Sequence, residues 1–307
     1  MVAGALAVGL LAGCGSGPSQ VGAAAIVGDR IVPIEQVQQQ LRTVLEKEGE
    51  EAKAQLVAGR QLDDVSRQIV TLAVQHELLA EAAERERLSV SEQRVTAMID
   101  RLGGARAASA GSVFTVENFR DRARDQLLAV ELGRKYLPGL AVTVDYTTAD
   151  TRGAAMQRVA ELSAAGSERA RELIRADVDQ GAAAALDQEI IASENPGFAS
   201  APVFGVGKGT VVAFPSDEQA GTWLVMVVTG RSTDGGSGQP ARKGEIDAMD
   251  RSLIAAAGIR QLAPVAEDVG VRLNPRYGVW DAVSLQTAPN ENETTGFVAP
   301  LREVPPT

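Results

Sequence analysis

The chain is predicted to be an α+β protein, mostly α, with a multi-helix N-terminal domain, a strand–helix–strand block inserted in the middle, and a helix returning to the first domain near the C-terminus. Three observations predict this. Apolar residues recur at helical spacing from Ile34 to Leu137. At Ala141 the texture changes to short apolar runs around an alanine-rich, charged stretch. A Gly/Ser/Pro linker over 236–244 then precedes one more helical segment. A length of 307 residues fits two structural units at roughly 100–200 residues each. Aromatics are only 4% of the residues, so the cores must be built from Ala, Leu, Val and Ile.

Val2 to Leu11 are small or apolar without a break. That is too short to span a bilayer and long enough for the core of a secretion signal. The run ends in Leu11-Ala12-Gly13-Cys14, which resembles the lipobox read by lipoprotein signal peptidase. Small residues at Ala12 and Gly13 let the backbone enter a peptidase groove, and the Cys14 thiol then takes up a diacylglyceryl group. Residues 1–13 are thus expected to be a lipoprotein signal peptide and 14–22 a small polar tether. Two or more acyl chains, palmitate among them, anchor firmly where one anchors only marginally. The expected location is extracytoplasmic, on the outer face of the cell membrane. No Lys or Arg precedes the apolar run, so translation is expected to start upstream of Met1. Cys14 is the only cysteine, which leaves no disulfide within the chain.

Ala23 to Val32 predicts a strand with a tight turn at Gly28-Asp29. Pro33 suits the first turn of a helix, whose apolar face is Ile34, Val37, Leu41, Val44 and Leu45. A second helix is expected from Leu62 to Arg87, with Val65, Ile69, Leu72, His76, Leu79 and Ala83 in one stripe. Ser89-Val90-Ser91-Glu92 has the pattern of a capping box, opening a helix that faces Val95 and Ile99 inward and closes at Gly103-Gly104. Phe114 and Phe119 lead into a fourth helix, stopped by Pro138-Gly139.

In the middle block, Val142-Thr143-Val144 alternates as a strand does, and helical segments are expected from Arg152 to Ala192, broken around Gly166 and Gly181. Strands follow at Val203-Phe204, Thr210 to Phe214 and Trp223 to Thr229. The last has no alternation, which predicts a strand buried on both faces. Gly205 to Thr210 looks superficially like a phosphate loop, but it lacks the spacing and no helix follows, so a hairpin is expected. A helix from Glu245 to Gly258, reaching on to Leu262, and a closing strand at Val271-Arg272-Leu273 complete the ordered part. From Pro275 onward the chain is proline-dotted and polar, and a loosely ordered tail is expected over 282–307.

The net charge of −10, with no basic stripe interleaved with aromatics, argues against a nucleic-acid partner. His76, the only histidine, lies on the apolar stripe between Leu72 and Leu79, which marks a core or groove-lining position rather than a catalytic one. One histidine leaves no His-based metal cluster and no Ser/His pair. Asp63-Asp64 opens a helix, where acids complement the dipole. The carboxylates of 161–194 are spaced as solvated helix faces. No catalytic residue, metal or cofactor is therefore expected.

The N-terminal order resembles the SurA-type periplasmic chaperones and the related parvulin-type foldase lipoproteins. The residues that carry the likeness are Ala25-Ile26-Val27-Gly28-Asp29 with Ile31, and the long helix running through Ala82-Ala83-Glu84-Arg85-Glu86-Arg87 into Leu88-Ser89-Val90-Ser91-Glu92. Phe119-Arg120 adds to it. Val271 to Asp281 also looks like the end of actinobacterial members. The resemblance implies a SurA-like helical domain over 23–140, completed by a helix and strand over 245–281, and an inserted parvulin-like domain over 141–235. It also implies that the helical domain holds unfolded polypeptide in an apolar cleft, and Leu41, Val44, Leu72, His76 and Leu79 are its candidate liners. A parvulin site is edged by histidines, one on its first strand, and Val142-Thr143-Val144 has none. Phe198, Phe204, Phe214 and Trp223 are candidates for an apolar groove, though such residues commonly form core. The expected function is thus a membrane-anchored chaperone or foldase-like lipoprotein binding unfolded or newly exported polypeptides, with a degenerate middle domain. An active prolyl isomerase and an envelope scaffold are the alternatives.

Overall fold

A computed structural model describes residues 21–47, 61–216 and 221–303. Leu11, Ala12, Gly13 and Cys14 lie outside the described residues. Strands β1 (Ala23–Val27) and β2 (Arg30–Pro33) form an antiparallel hairpin, with Gly28 at φ 61° in its turn. The other edge of β1 pairs with β7 (Val271–Leu273), so the first and the late parts of the chain share one three-stranded sheet, β2-β1-β7. All five β1 residues are buried.

Four helices follow: α1 (Ile34–Lys47), α2 (Gln61–Glu86), α3 (Glu92–Arg101) and the single turn α4 (Ala105–Ala108), before α5 (Phe119–Tyr136). Ser91 caps α3 by accepting a hydrogen bond from the Arg94 amide, so the helix starts two residues later than a box based on Ser89 requires. Glu92 instead pairs with Arg120 and Arg124 of α5. Helix α2 is central, touching α1, α5, β1 and the C-terminal segment. It therefore buries a broader and rotated face, centred on Val70, Val74, Leu78 and Ala82, and leaves Leu72 and His76 at the margin.

The middle block contains β3 (Ala141–Ala149), α6 (Arg152–Asp179, kinked at Gly166), β4 (Ala185–Ile191), β5 (Thr210–Pro215) and β6 (Trp223–Ser232). With β10 (Phe297–Pro300) they form an antiparallel sheet in the order β10-β5-β6-β3-β4. Val211, Ala213, Val225 and Val227 face α6, while Val212, Phe214, Met226 and Val228 face the main core. Both faces of β6 are thus covered, the physical reason for its unbroken apolar run.

The chain then returns through α7 (Lys243–Asp247), α8 (Arg251–Arg260) and α9 (Leu262–Val269). Where α8 crosses α5 the backbones nearly touch: a Cβ on Gly133 would sit 1.9 Å from the Ile254 carbonyl oxygen, and one on Gly258 1.9 Å from that of Ala129.

Four expectations are corrected. Residues 185–191 are a strand, because Gly181 (φ 77°) ends the helical stretch and β3 offers a free edge for pairing. Pro202–Gly205 is a 3-10 turn rather than a strand. Gly205 to Thr210 is the lead into β5 rather than a hairpin between strands. The segment from 282 is not a loose tail in its described part: β8 (Val279–Asp281) pairs with β9 (Gln286–Ala288), and β10 extends the five-stranded sheet. Asp281 organises this return, its buried carboxylate accepting from the amides of Val283, Ser284 and Thr295 and from the Ser284 hydroxyl.

Candidate functional site

The five expected groove residues do not converge on one cavity. Leu72, His76 and Leu79 line a small pocket of about 100 Å³ with Gln36, Gln40, Asn118 and Asp125, whereas Leu41 and Val44 pack against the main core outside it. The pocket is polar because α5 supplies Asp125, a buried acid opposite His76. His76 Nδ1 lies 2.9 and 3.0 Å from the two Asp125 carboxylate oxygens. That hydrogen bond raises the imidazole pKa above its ordinary value, and partial burial opposes the shift without cancelling it. The sequence stripe located His76 on α2, but Asp125 lies 49 residues away and only the α2–α5 packing discloses it.

A larger apolar groove of about 530 Å³ opens between α3, the segment carrying α4, α5 and the start of α8. Met98, Leu102, Phe114, Phe119, Leu127 and Val130 line it. Helical spacing on α3 and α5 aims Met98 and Leu102, and Phe119 and Leu127, to the same side. Phe119 and Leu127 are also buried, and Leu102 is 48% exposed. Phe114 meets Phe119 edge to face at 6.2 Å, and the Arg122 guanidinium stands 5.1 Å over the Phe114 ring. Arg101, Arg122 and Arg251 are the charged liners, and Ser112, Gln126 and Ser252 add hydrogen-bonding groups. In the sequence Phe114 and Phe119 mark the entry to a helix, and Phe119-Arg120 belongs to the family likeness, without pointing to a groove. Their position before an arginine-rich helix with an apolar back was the available signal.

In the middle block the aromatic candidates are packed. Phe198 lies 6.1 Å from Phe204 and 6.3 Å from Phe214, and the latter two are buried. Trp223 stacks on Phe297 of β10 at 5.8 Å under the Arg152 guanidinium. The one buried acid of β3, Asp145, is held by Arg171 at 3.0 Å and by the Asp187 amide at 2.8 Å, a structural arrangement. A second cleft, about 820 Å³, lies between α6 and the 280–302 segment, with Met156, Trp280 and Phe297 in its walls. Among the described residues no three His, Cys, Asp or Glu side chains are grouped to hold a metal, and no helix is long and apolar enough to cross a membrane.

No curated protein matches the chain. Residues 1–131, less than half of its length, match the family model of the SurA-like N-terminal domain. Those residues contribute β1, β2, α1 to α4, most of α5, the His76–Asp125 pair and most of the apolar groove. Over these residues the chain is similar to a SurA-like N-terminal domain, a likeness that suggests a chaperone-like role.

Proposed function

We propose that the protein is a lipid-anchored extracytoplasmic chaperone that holds unfolded or newly exported polypeptides and does no catalysis itself. The observation that carries this reading is the open apolar groove between α3 and α5, most of it inside the part of the chain that matches the SurA-like domain. Its exposed rim at Leu102 and its adaptable Met98 suit clients of varied sequence. The test is light scattering of an aggregating client at near-equal concentration. The protein is expected to suppress aggregation, and Leu102→Asp, a surface change in the groove, to lose most of that suppression. No suppression by the unaltered protein overturns the chaperone reading; full suppression by the variant moves the site elsewhere.

The anchor belongs to the same proposal. Leu11-Ala12-Gly13-Cys14 supports diacylglyceryl transfer to Cys14, so Cys14→Ser is expected to shift the protein from the membrane to the soluble fraction. Retention of the variant in the membrane fraction excludes Cys14 as the anchor. The middle block is proposed to be a parvulin-like module without isomerase activity. Its first strand has no histidine, and the Phe198–Phe204–Phe214 cluster is packed as core. A proline-peptide isomerisation rate well above background refutes that assignment.

A further inference from the structure

We infer that the groove selects apolar polypeptide segments that carry a carboxylate, and that Arg122 receives it. This rests on the chaperone reading and names the client chemistry for the same groove. Arg122 is half-buried on α5, and among the described residues its guanidinium makes no ion pair and no hydrogen bond; its close contact is the face of Phe114 at 5.1 Å. Burial pushes the guanidinium pKa down, and Asp125 is the carboxylate that pulls it back. Both oxygens of Asp125 are engaged by His76. A partly desolvated cation whose attracting carboxylate is committed elsewhere is costly to keep, and an incoming carboxylate relieves that cost. The ring face offsets only part of it.

The rest of the groove has the same sign. Arg101 and Arg251 stand at its rim, no Asp or Glu is among its liners, and neither rim arginine forms an ion pair among the described residues. In a chain of net charge −10 this is a local reversal of charge, complementary to an acidic apolar segment. The guanidinium fork matches a carboxylate with two parallel hydrogen bonds, which a point charge cannot do. A volume of about 530 Å³ takes a few side chains. The Gln126 amide can bond a peptide backbone, and the Ser252 hydroxyl, which donates to Asp250, can still accept; an acyl chain can use neither, which favours polypeptide over anionic lipid.

The experiment measures fluorescence anisotropy of three labelled peptides with one apolar-aromatic sequence. The first ends in a free carboxylate, the second carries an internal Asp and a C-terminal amide, and the third has Asn in place of that Asp. Whichever carboxylate the groove reads, side-chain or C-terminal, its peptide is expected to bind the unaltered protein about tenfold more tightly than the neutral one. Added salt should shrink the difference. Arg122→Met should erase the preference between the acidic and the neutral peptides. Arg101→Gln, an exposed rim change, should lower the preference two- to threefold even if Arg122→Met does not fold. Equal binding of all three peptides overturns the inference and leaves the chaperone reading standing. No binding of any peptide overturns both. Binding of phosphatidylglycerol vesicles instead, lost in Arg101→Gln, overturns the assignment of the groove to polypeptide.

Discussion

His76 and Asp125 show how a single contact sets a pH response. The imidazole pKa is raised in the folded protein by the Asp125 hydrogen bond. The pairing therefore stabilises fully below the unfolded value of about 6.5 and fades as the pH climbs through the higher folded value. The His76 side chain is 41% exposed, so solvent screening holds the effect to well under about 1 kcal/mol. Denaturant midpoints are expected to fall modestly from about pH 6.5 upward, and His76→Gln to flatten that slope. An unchanged slope in the variant assigns the response to another group. Asp281 is the opposite kind of residue, buried and accepting four hydrogen bonds. Asp281→Ala leaves three buried or half-buried amides without their acceptor and is expected to cost roughly 2–4 kcal/mol, read from urea unfolding. A loss below about 0.5 kcal/mol would show that water replaces the carboxylate. Both acids stand in sequence segments with nothing to mark them, because their partners are contributed by other elements.

At the scale of elements, the seam between α5 and α8 is set by two glycines. Gly133 and Gly258 each leave room for a carbonyl of the opposite helix, and any side chain at either position collides with backbone that cannot rotate away. Gly133→Val is expected to destabilise by about 3 kcal/mol or more through separation of the helices. The control, Gly153→Ala at a helical position with open space around it, should be neutral or slightly stabilising. Thermal unfolding of the two variants checks the pair, and equal midpoints would remove the seam as a determinant of stability. Helix α2 carries a related lesson. Its apolar stripe established a helix but not which side would be innermost, since a helix touched by several elements buries more than the 3.6-residue pattern marks.

For the whole molecule, the late chain closes what the early chain leaves open. β7 completes the N-terminal sheet, α8 fills the back of α5, and β10 covers the outer edge of β5. Arg152 fastens β10 by donating to the Thr294 hydroxyl at 3.0 Å while its guanidinium lies 4.6 Å over Phe297. Ending the chain at Asn290 is therefore expected to expose an apolar β5 edge, lower the unfolding midpoint and promote aggregation on heating. An unchanged midpoint and clear solution would show that the segment merely rests on the sheet. The groove is likewise a product of the whole, since Arg251 reaches it from the returning helix although its other walls lie within α3 to α5.

The sequence by itself determined the α+β class, the helices of the SurA-like domain, the doubly covered strand at Trp223 and the return of the chain through Val271. Each is written in local periodicity, turn residues or unbroken apolar runs, which short windows of chain carry in full. Only the tertiary structure decided that 185–191 pairs as a strand, that 297–300 joins the sheet and that Asp125 faces His76. It alone showed an apolar groove beside Phe114 and Arg122, separate from the pocket that Leu72, His76 and Leu79 line. The physical reason is common to these cases. Strand pairing, ion-pair choice and cavity position depend on which surfaces meet across tens to hundreds of residues, and that information is absent from any local pattern.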